Sequence, residues 1–102
     1  MWNSDNIKNS DKTEAVRLVL IEDDLNFADN VKLFLSDKKE YELIAHFTGC
    51  ESALSGNSLT EADVLLLDIK LPGISGLQAI PKILKINNNL HIIILSSFNH
   101  DA

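Results

Sequence analysis

Carboxylates and hydroxyls follow three apolar runs in this sequence. Glu22-Asp23-Asp24 come directly after VRLVLI, Asp68 ends ADVLLLD, and Ser96-Ser97 follow HIIIL. Two or three carboxylates within a few ångströms repel one another, and one of them binds a proton unless a cation lies between them. Mg2+ suits such a group best, because it accepts one or two carboxylates, keeps several waters and leaves room for a phosphate oxygen. An aspartate beside this ion could attack a phosphoryl group, and Ser96 could hydrogen-bond a phosphoryl oxygen.

These side chains need a scaffold that brings the ends of the three runs together. Apolar and β-branched runs predict four strands, at residues 16–21, 41–47, 62–68 and 91–95. Apolar residues at helical spacing predict helices over 27–35 and 77–86, with a short helix after Thr48. Alternating strands and helices indicate a doubly wound parallel α/β sheet. If the strand order is 2-1-3-4, strands one and three are neighbours, and Glu22, Asp23 and Asp68 share a crevice at the carboxyl edge.

Local signals refine the helix ends and the exposure of the strands. Asp24 or Asn26 can cap the first helix, and Thr48-Gly-Cys-Glu51 has the spacing of a capping box for the short helix. Residues 41–47 alternate between apolar and polar positions, which is typical of a less buried or edge strand. Pro81 removes a backbone hydrogen bond about one turn into the third helix, so that helix either starts late or bends there.

Composition limits the kinds of partner and compartment. The chain has 102 residues, enough for one domain, and a net charge of −6, which argues against direct nucleic-acid binding. Residues 1–14 are polar and lack a signal-peptide apolar region, so they are interpreted as a flexible arm before a domain at 15–102. We expect no membrane segment. A single cysteine, Cys50, excludes an internal disulfide and fits a packing role in a cytoplasmic protein.

Taken together, the motifs resemble the receiver domain of bacterial two-component response regulators. The stretches LVLIEDD, VLLLDIKLPGISG and IIILSS match that family in order, including the spacing from Asp68 to Pro72 and Gly76. The resemblance implies a flavodoxin-like fold and a phosphoryl group received from a sensor histidine kinase. It implies no enzyme activity beyond self-catalysed phosphotransfer and dephosphorylation. The stretches GLQAIPKI and SSFNHD are most similar to the subfamily that joins a receiver to a C-terminal DNA-binding helix-turn-helix domain.

The resemblance also implies a role for individual residues. Asp68 would be the phosphorylation site, and Asp23 and Asp68 would ligate Mg2+. Glu22 would act through a water molecule, and the Lys70 carbonyl would be a further ligand. Ser96 would be the switch hydroxyl that moves toward the phosphoryl group.

The chain departs from the family pattern after the fourth strand. Family members continue through a helix, a fifth strand and a last helix, whereas this sequence ends at Ala102. The lysine that the fifth strand usually contributes has no counterpart here. We therefore expect an incomplete sheet whose fourth strand is an exposed edge. This edge would pair with a second copy, or the chain would be a piece of a longer protein.

The same residues fit other functions less well. An EF-hand fails because Asp29 stands where the loop needs glycine. Aspartyl phosphatases place their nucleophile after the first strand with a second aspartate two residues later, whereas Asp68 follows the third strand and is followed by Lys70. The histidines show no metal-ligand spacing and are interpreted as polar loop or edge residues. A receiver-like interaction module that is not phosphorylated remains the alternative.

Overall fold

The computed structural model describes residues 14–95, which form four strands and four helices. In chain order these are β1 (Val16–Ile21), α1 (Leu25–Leu35), β2 (Tyr41–Phe47), α2 (Cys50–Ser55), α3 (Ser58–Glu61), β3 (Val64–Asp68), α4 (Gly76–Ile86) and β4 (His91–Leu95). None of the helices in this part of the chain is long and apolar enough to cross a membrane.

The four strands form one parallel sheet in the order β2-β1-β3-β4. β1 lies between β2 and β3, with Ile21 opposite both Phe47 and Leu67. β3 continues one residue further and pairs Asp68 with Leu95. The predicted strand order and flavodoxin-like fold class are therefore confirmed, and the carboxyl ends of β1 and β3 are adjacent.

β2 has the partial exposure that its alternating sequence predicted. It is an outer strand of the described sheet, and none of its residues is fully buried. Its register against β1 is irregular, because Leu18 lies opposite Leu43 while Val19 lies opposite Ala45. Ile44 is thus an extra residue on β2, an arrangement that bends a strand and increases its twist.

The two faces of the sheet carry different helices. Val19 and Ile21 of β1 and Leu65 and Leu67 of β3 join the main core cluster, together with residues of α2, α3 and α4. The opposite face is covered in part by α1, where Leu18, Leu66 and the exposed Ile93 border a groove with Val31 and Phe34. Both faces are apolar because central parallel strands are covered on both sides.

Helix ends follow the local chemistry at some positions and not at others. Asp24 caps α1, accepting bonds from the N–H groups of Asn26 and Phe27, so this helix starts two residues before the predicted Phe27. The capping box predicted at Thr48 is wrong. The residue that caps α2 is Gly49, which makes no side-chain capping bond. The competing interaction is a hydrogen bond from a distant loop to the Glu51 carboxylate.

A true capping box begins α4. The Ser75 hydroxyl accepts from the Gln78 N–H at 3.2 Å, and the Gln78 side chain accepts from the Ser75 N–H at 3.2 Å. The helix then runs from Gly76 through Pro81 to Ile86. It therefore does not start late, and Pro81 is accommodated in its interior without the hydrogen bond that a proline cannot donate.

The short helix α3 was not predicted. It covers the sequence SLTE, and Leu59 within it is completely buried. Its end is held by the Asn87 side chain, which donates to the carbonyl oxygens of Leu59 and Ala62 at 3.0 and 3.1 Å. This tertiary contact fixes a helix of four residues that is too short to be stable by itself.

Candidate functional site

Three carboxylates converge at the carboxyl edge of the sheet. Glu22 and Asp23 directly follow β1, and Asp68 is the last residue of β3. One oxygen of each carboxylate lies within 4.8 Å of the others. The parallel pairing of Ile21 with Leu67 produces this convergence, because it brings the next residue of each strand to the same point. We call Glu22, Asp23 and Asp68 the acidic cluster.

Two of these carboxylates are removed from solvent. Glu22 is 6% exposed and Asp68 is 5% exposed, whereas Asp23 is exposed. The pKa of Glu22 is raised to about 7, chiefly by burial and also by the hydrogen bond and charge of Asp68 and the charge of Asp23, while the bond from the Asp24 N–H opposes this shift. At neutral pH the cluster therefore carries negative charge that is poorly solvated, and a cation would relieve it.

Backbone contacts fix Glu22 from several directions. Its N–H donates to the Phe47 carbonyl at 2.9 Å. Its Oε2 accepts from the Asp24 N–H at 2.9 Å. The His46 Nε2 lies 2.9 Å from the Glu22 carbonyl oxygen, and since a carbonyl only accepts, this nitrogen donates. The end of β2 thus holds the acidic turn that follows β1.

Asp68 is supported by the chain that follows it. Its Oδ1 accepts a hydrogen bond from the Lys70 N–H at 2.9 Å, so the Lys70 backbone lies beside the carboxylate. The first residue of α4 packs directly on the end of β3. A Cβ at Gly76 would lie 2.5 Å from the Asp68 carbonyl oxygen, so only glycine fits this approach.

The loop of residues 69–75 is held at its base and at its apex. At the base, the Gly76 N–H donates to the Ile69 carbonyl at 3.3 Å. Nearer the C-terminal end of the loop, at Gly73 and Ile74, which we call the apex, the Glu51 Oε2 accepts from the Ile74 N–H at 3.0 Å. Gly73 has a φ of 74°, a left-handed conformation that glycine adopts readily.

The structure brings together the acidic residues that the strand order implied. Glu22, Asp23 and Asp68 form one cluster, and the Lys70 backbone adjoins it. Ser96 lies outside the described residues, so its proposed switch role stays a prediction. His46 and Glu51 were not predicted to support the site. Their contacts join segments far apart in the chain, and the local spacing around Glu51 favoured a helix cap instead.

The donor set defines what the acidic cluster could hold. Its oxygen ligands come from carboxylates, which favour hard cations such as Mg2+ over metals that prefer sulfur or imidazole. The cluster lies at the carboxyl edge of a parallel sheet, where ligands of this fold class bind. Because Asp68 belongs to the acidic cluster, a cation held by the cluster would lie beside the Asp68 carboxylate.

Comparison with known proteins gives the same picture. Residues 18–102 match the family model described as the response regulator receiver domain. The chemotaxis protein CheY of Thermotoga maritima is 31% identical over 84 residues, which cover 82% of this chain and 70% of that protein. A protein-glutamate methylesterase/protein-glutamine glutaminase of Paramagnetospirillum magneticum is 31% identical over 88 residues, which cover 86% of this chain but 23% of the relative. The chain thus spans about a quarter of that relative's length.

A solved structure extends the comparison to the fold. The signal receiver domain of the response regulator NarL from Mycobacterium tuberculosis superposes with a TM-score of 0.74 at 24% identity. The superposition covers 87% of this chain and 72% of that domain. The chain therefore belongs to the response regulator receiver domain family of two-component signal transduction.

Proposed function

We propose that this domain accepts a phosphoryl group on Asp68 from a sensor histidine kinase in the cytoplasm, in a reaction that depends on Mg2+. The observation that carries the proposal is the acidic cluster, in which oxygens of Glu22, Asp23 and Asp68 lie within 4.8 Å of one another. In the transfer, an oxygen of Asp68 forms a bond to phosphorus while the bond from phosphorus to the donor atom breaks.

Each residue of the cluster has a distinct proposed task. Asp23 and Asp68 would hold Mg2+ directly, Glu22 would act through a water molecule, and the Lys70 carbonyl would be the further protein ligand. Bound Mg2+ supplies positive charge that offsets the charge of the phosphoryl group. The Lys70 N–H, 2.9 Å from the Asp68 Oδ1, holds that oxygen, so the carboxylate is oriented before the donor arrives. Ser96 is retained as the proposed switch hydroxyl.

The experiment uses a small phosphodonor in place of the kinase. The chain is incubated with Mg2+ and acetyl phosphate, and its intact mass is measured. We expect a labile gain of one phosphoryl group that is absent in Asp68→Asn. Asp37→Asn is the matched control, since Asp37 is an exposed aspartate that follows α1 and lies outside the cluster. It should gain the group like the unmodified chain.

The other possible results of this experiment each favour a different function or a different acceptor residue. A gain that persists in Asp68→Asn would assign the acceptor to another residue. No gain in the unmodified chain would contradict phosphoacceptance and favour the phosphorylation-incompetent interaction module. Sustained release of phosphate from phosphate esters would indicate a phosphatase instead.

The output of the domain is proposed from its relatives. We propose that it belongs to a DNA-binding response regulator, with the acidic domain itself making no contact with nucleic acid. The transcriptional regulatory protein YdfI of Bacillus subtilis supports this, at 29% identity over 85 residues that cover 83% of this chain and 39% of that protein. A gene sequence encoding a helix-turn-helix domain downstream of residue 102 would test it, and a methylesterase domain there would contradict it.

As the alternative to a longer protein, we propose that a separate chain of residues 1–102 pairs with a second copy along β4. In the described part of the chain β4 pairs with β3 alone, and its exposed side chains include Ile93 at 51% and Ile94 at 41%. An unpaired apolar edge strand readily adds another strand. Light scattering should show dimers that Ile93→Lys disperses, and a stable monomer at high concentration would exclude this pairing.

A further inference from the structure

One carboxylate outside the acidic cluster holds the loop that follows Asp68. Glu51 lies in the first turn of α2, and its Oε2 accepts a hydrogen bond from the Ile74 N–H at 3.0 Å. Accepting this bond, and a second one from its own N–H, lowers the pKa of Glu51. The side chain is therefore ionised at neutral pH and able to accept both bonds.

The shape of the loop is adapted to this contact. Gly73 has a φ of 74°, and a Cβ at this position would lie 2.5 Å from the Glu51 Oε2. The carboxylate thus occupies space that a side chain at residue 73 would fill. The hydrogen bond to Ile74 and the close approach at Gly73 are two separate observations of one contact between α2 and the loop apex.

The held loop is the one that carries Lys70. On one side of Lys70, its N–H is bound to Asp68. On the other side of Lys70, the partly buried side chains of Leu71 and Ile74 pack against the core. The Ile74 N–H also donates to Glu51. The Lys70 carbonyl thus belongs to a segment that is bounded by the bond at Asp68 and by the contacts of Leu71 and Ile74.

Resting on the proposed Mg2+-dependent function, we propose that Glu51 is a positioning residue whose hydrogen bond to Ile74 holds the Lys70 carbonyl in place for the bound cation. Glu51 itself touches neither the cation nor the phosphoryl group. Freeing the apex would spread the carbonyl over several positions and weaken cation binding. The bond is on the surface, so its loss should leave the core of the domain folded.

The test compares Glu51→Ala with Glu51→Gln. Both variants remove the same negative charge, but only glutamine keeps a side-chain oxygen that can accept from the Ile74 N–H. The Mg2+ dissociation constant is measured by NMR titration, and hydrogen exchange of the Ile74 amide is measured without Mg2+. We expect Glu51→Ala to weaken Mg2+ binding about fivefold and Glu51→Gln by less than about twofold. Exchange at Ile74 should accelerate in Glu51→Ala alone.

The outcomes distinguish the positioning role from the proposed function. If the unmodified chain binds Mg2+ and Glu51→Ala binds it equally well, the positioning role is overturned and the metal site stands. Equal weakening in both variants would assign the effect to charge and also overturn it. If the unmodified chain binds no Mg2+, the proposed function fails first, and the positioning role falls with it.

Discussion

Replacing Gly76 by alanine tests how closely α4 is packed on the strand that ends in Asp68. The added methyl group would lie 2.5 Å from the Asp68 carbonyl oxygen and 2.9 Å from the Ile69 Cα. Non-bonded carbon atoms in contact stand about 3.5–4.0 Å apart, so the start of the helix has to move away by roughly 1 Å. The opposing atoms are backbone atoms, which have no rotamer through which to withdraw.

The expected cost follows from two opposing effects. Inserting a methyl group into a packed contact destabilises a protein by about 1–3 kcal/mol. Alanine has a better helix propensity than glycine, worth up to about 1 kcal/mol in its favour. We therefore expect Gly76→Ala to lower the free energy of unfolding by about 1–2 kcal/mol.

Gly56→Ala is the matched control. Gly56 has a negative φ of −108°, and the nearest atom to a Cβ there is the Ser52 carbonyl oxygen at 3.9 Å, an ordinary contact. This substitution should stabilise the domain by about 0.4–1 kcal/mol, because alanine restricts the unfolded chain.

The stability of both variants is measured by urea unfolding, monitored by circular dichroism. The Gly76→Ala midpoint should fall below that of Gly56→Ala by about 1 M, given the slope usual for small domains. Because the strain is applied to the Asp68 backbone, Gly76→Ala should also weaken Mg2+ binding. Equal stability of the two variants would refute the close packing of α4 on β3.

Three further predictions concern single side chains. In Mg2+-free buffer, Glu22→Gln should be more stable than the unmodified chain above pH 7, by at most about 3 kcal/mol, and the difference should vanish below about pH 4.5. The sign follows because the raised pKa of Glu22 makes the native state lose stability as pH increases from 4.5 through 7. Unfolding curves across this pH range measure the difference in stability. A difference that does not depend on pH would contradict the prediction. Asn87→Ala should cost about 1–3 kcal/mol in urea unfolding by leaving two carbonyl groups at the end of α3 without donors, whereas the exposed Asn88→Ala should cost little. Asp24→Ala should cost about 1 kcal/mol by uncapping α1, and a loss no larger than that of Asn26→Ala would count against the cap.

The sheet was predictable because its signals are local and strong. Residues 16–21, 41–47 and 91–95 are strands with the predicted bounds, and the third strand begins only two residues later than predicted. Runs that are apolar on both faces favour a parallel strand, and β3 is such a strand with a buried core, whereas β4 has the same kind of sequence but leaves Ile93 and Ile94 exposed. The strand order expected from these runs is sufficient to predict that Glu22, Asp23 and Asp68 lie together.

The supporting contacts were not predictable from local pattern. Thr48 and Glu51 have the spacing of a capping box, but Glu51 bonds Ile74, which is 23 residues away. The helix α3 depends on Asn87, 28 residues from Leu59. By contrast, the capping box of Ser75 and Gln78 could have been found in the sequence, since serine and glutamine three residues apart are its ordinary signature.

The central position of β1 has a consequence for how the chain is made. Among the strands that the structure describes, β1 is synthesised first, yet its partners are β2 and β3, and β3 ends only at Asp68. At roughly 5–20 residues per second, the ribosome needs several seconds to deliver the second partner after the first strand has left the exit tunnel. During that interval the apolar β1 lacks its β3 partner, so we expect the nascent chain to expose hydrophobic surface until β3 emerges.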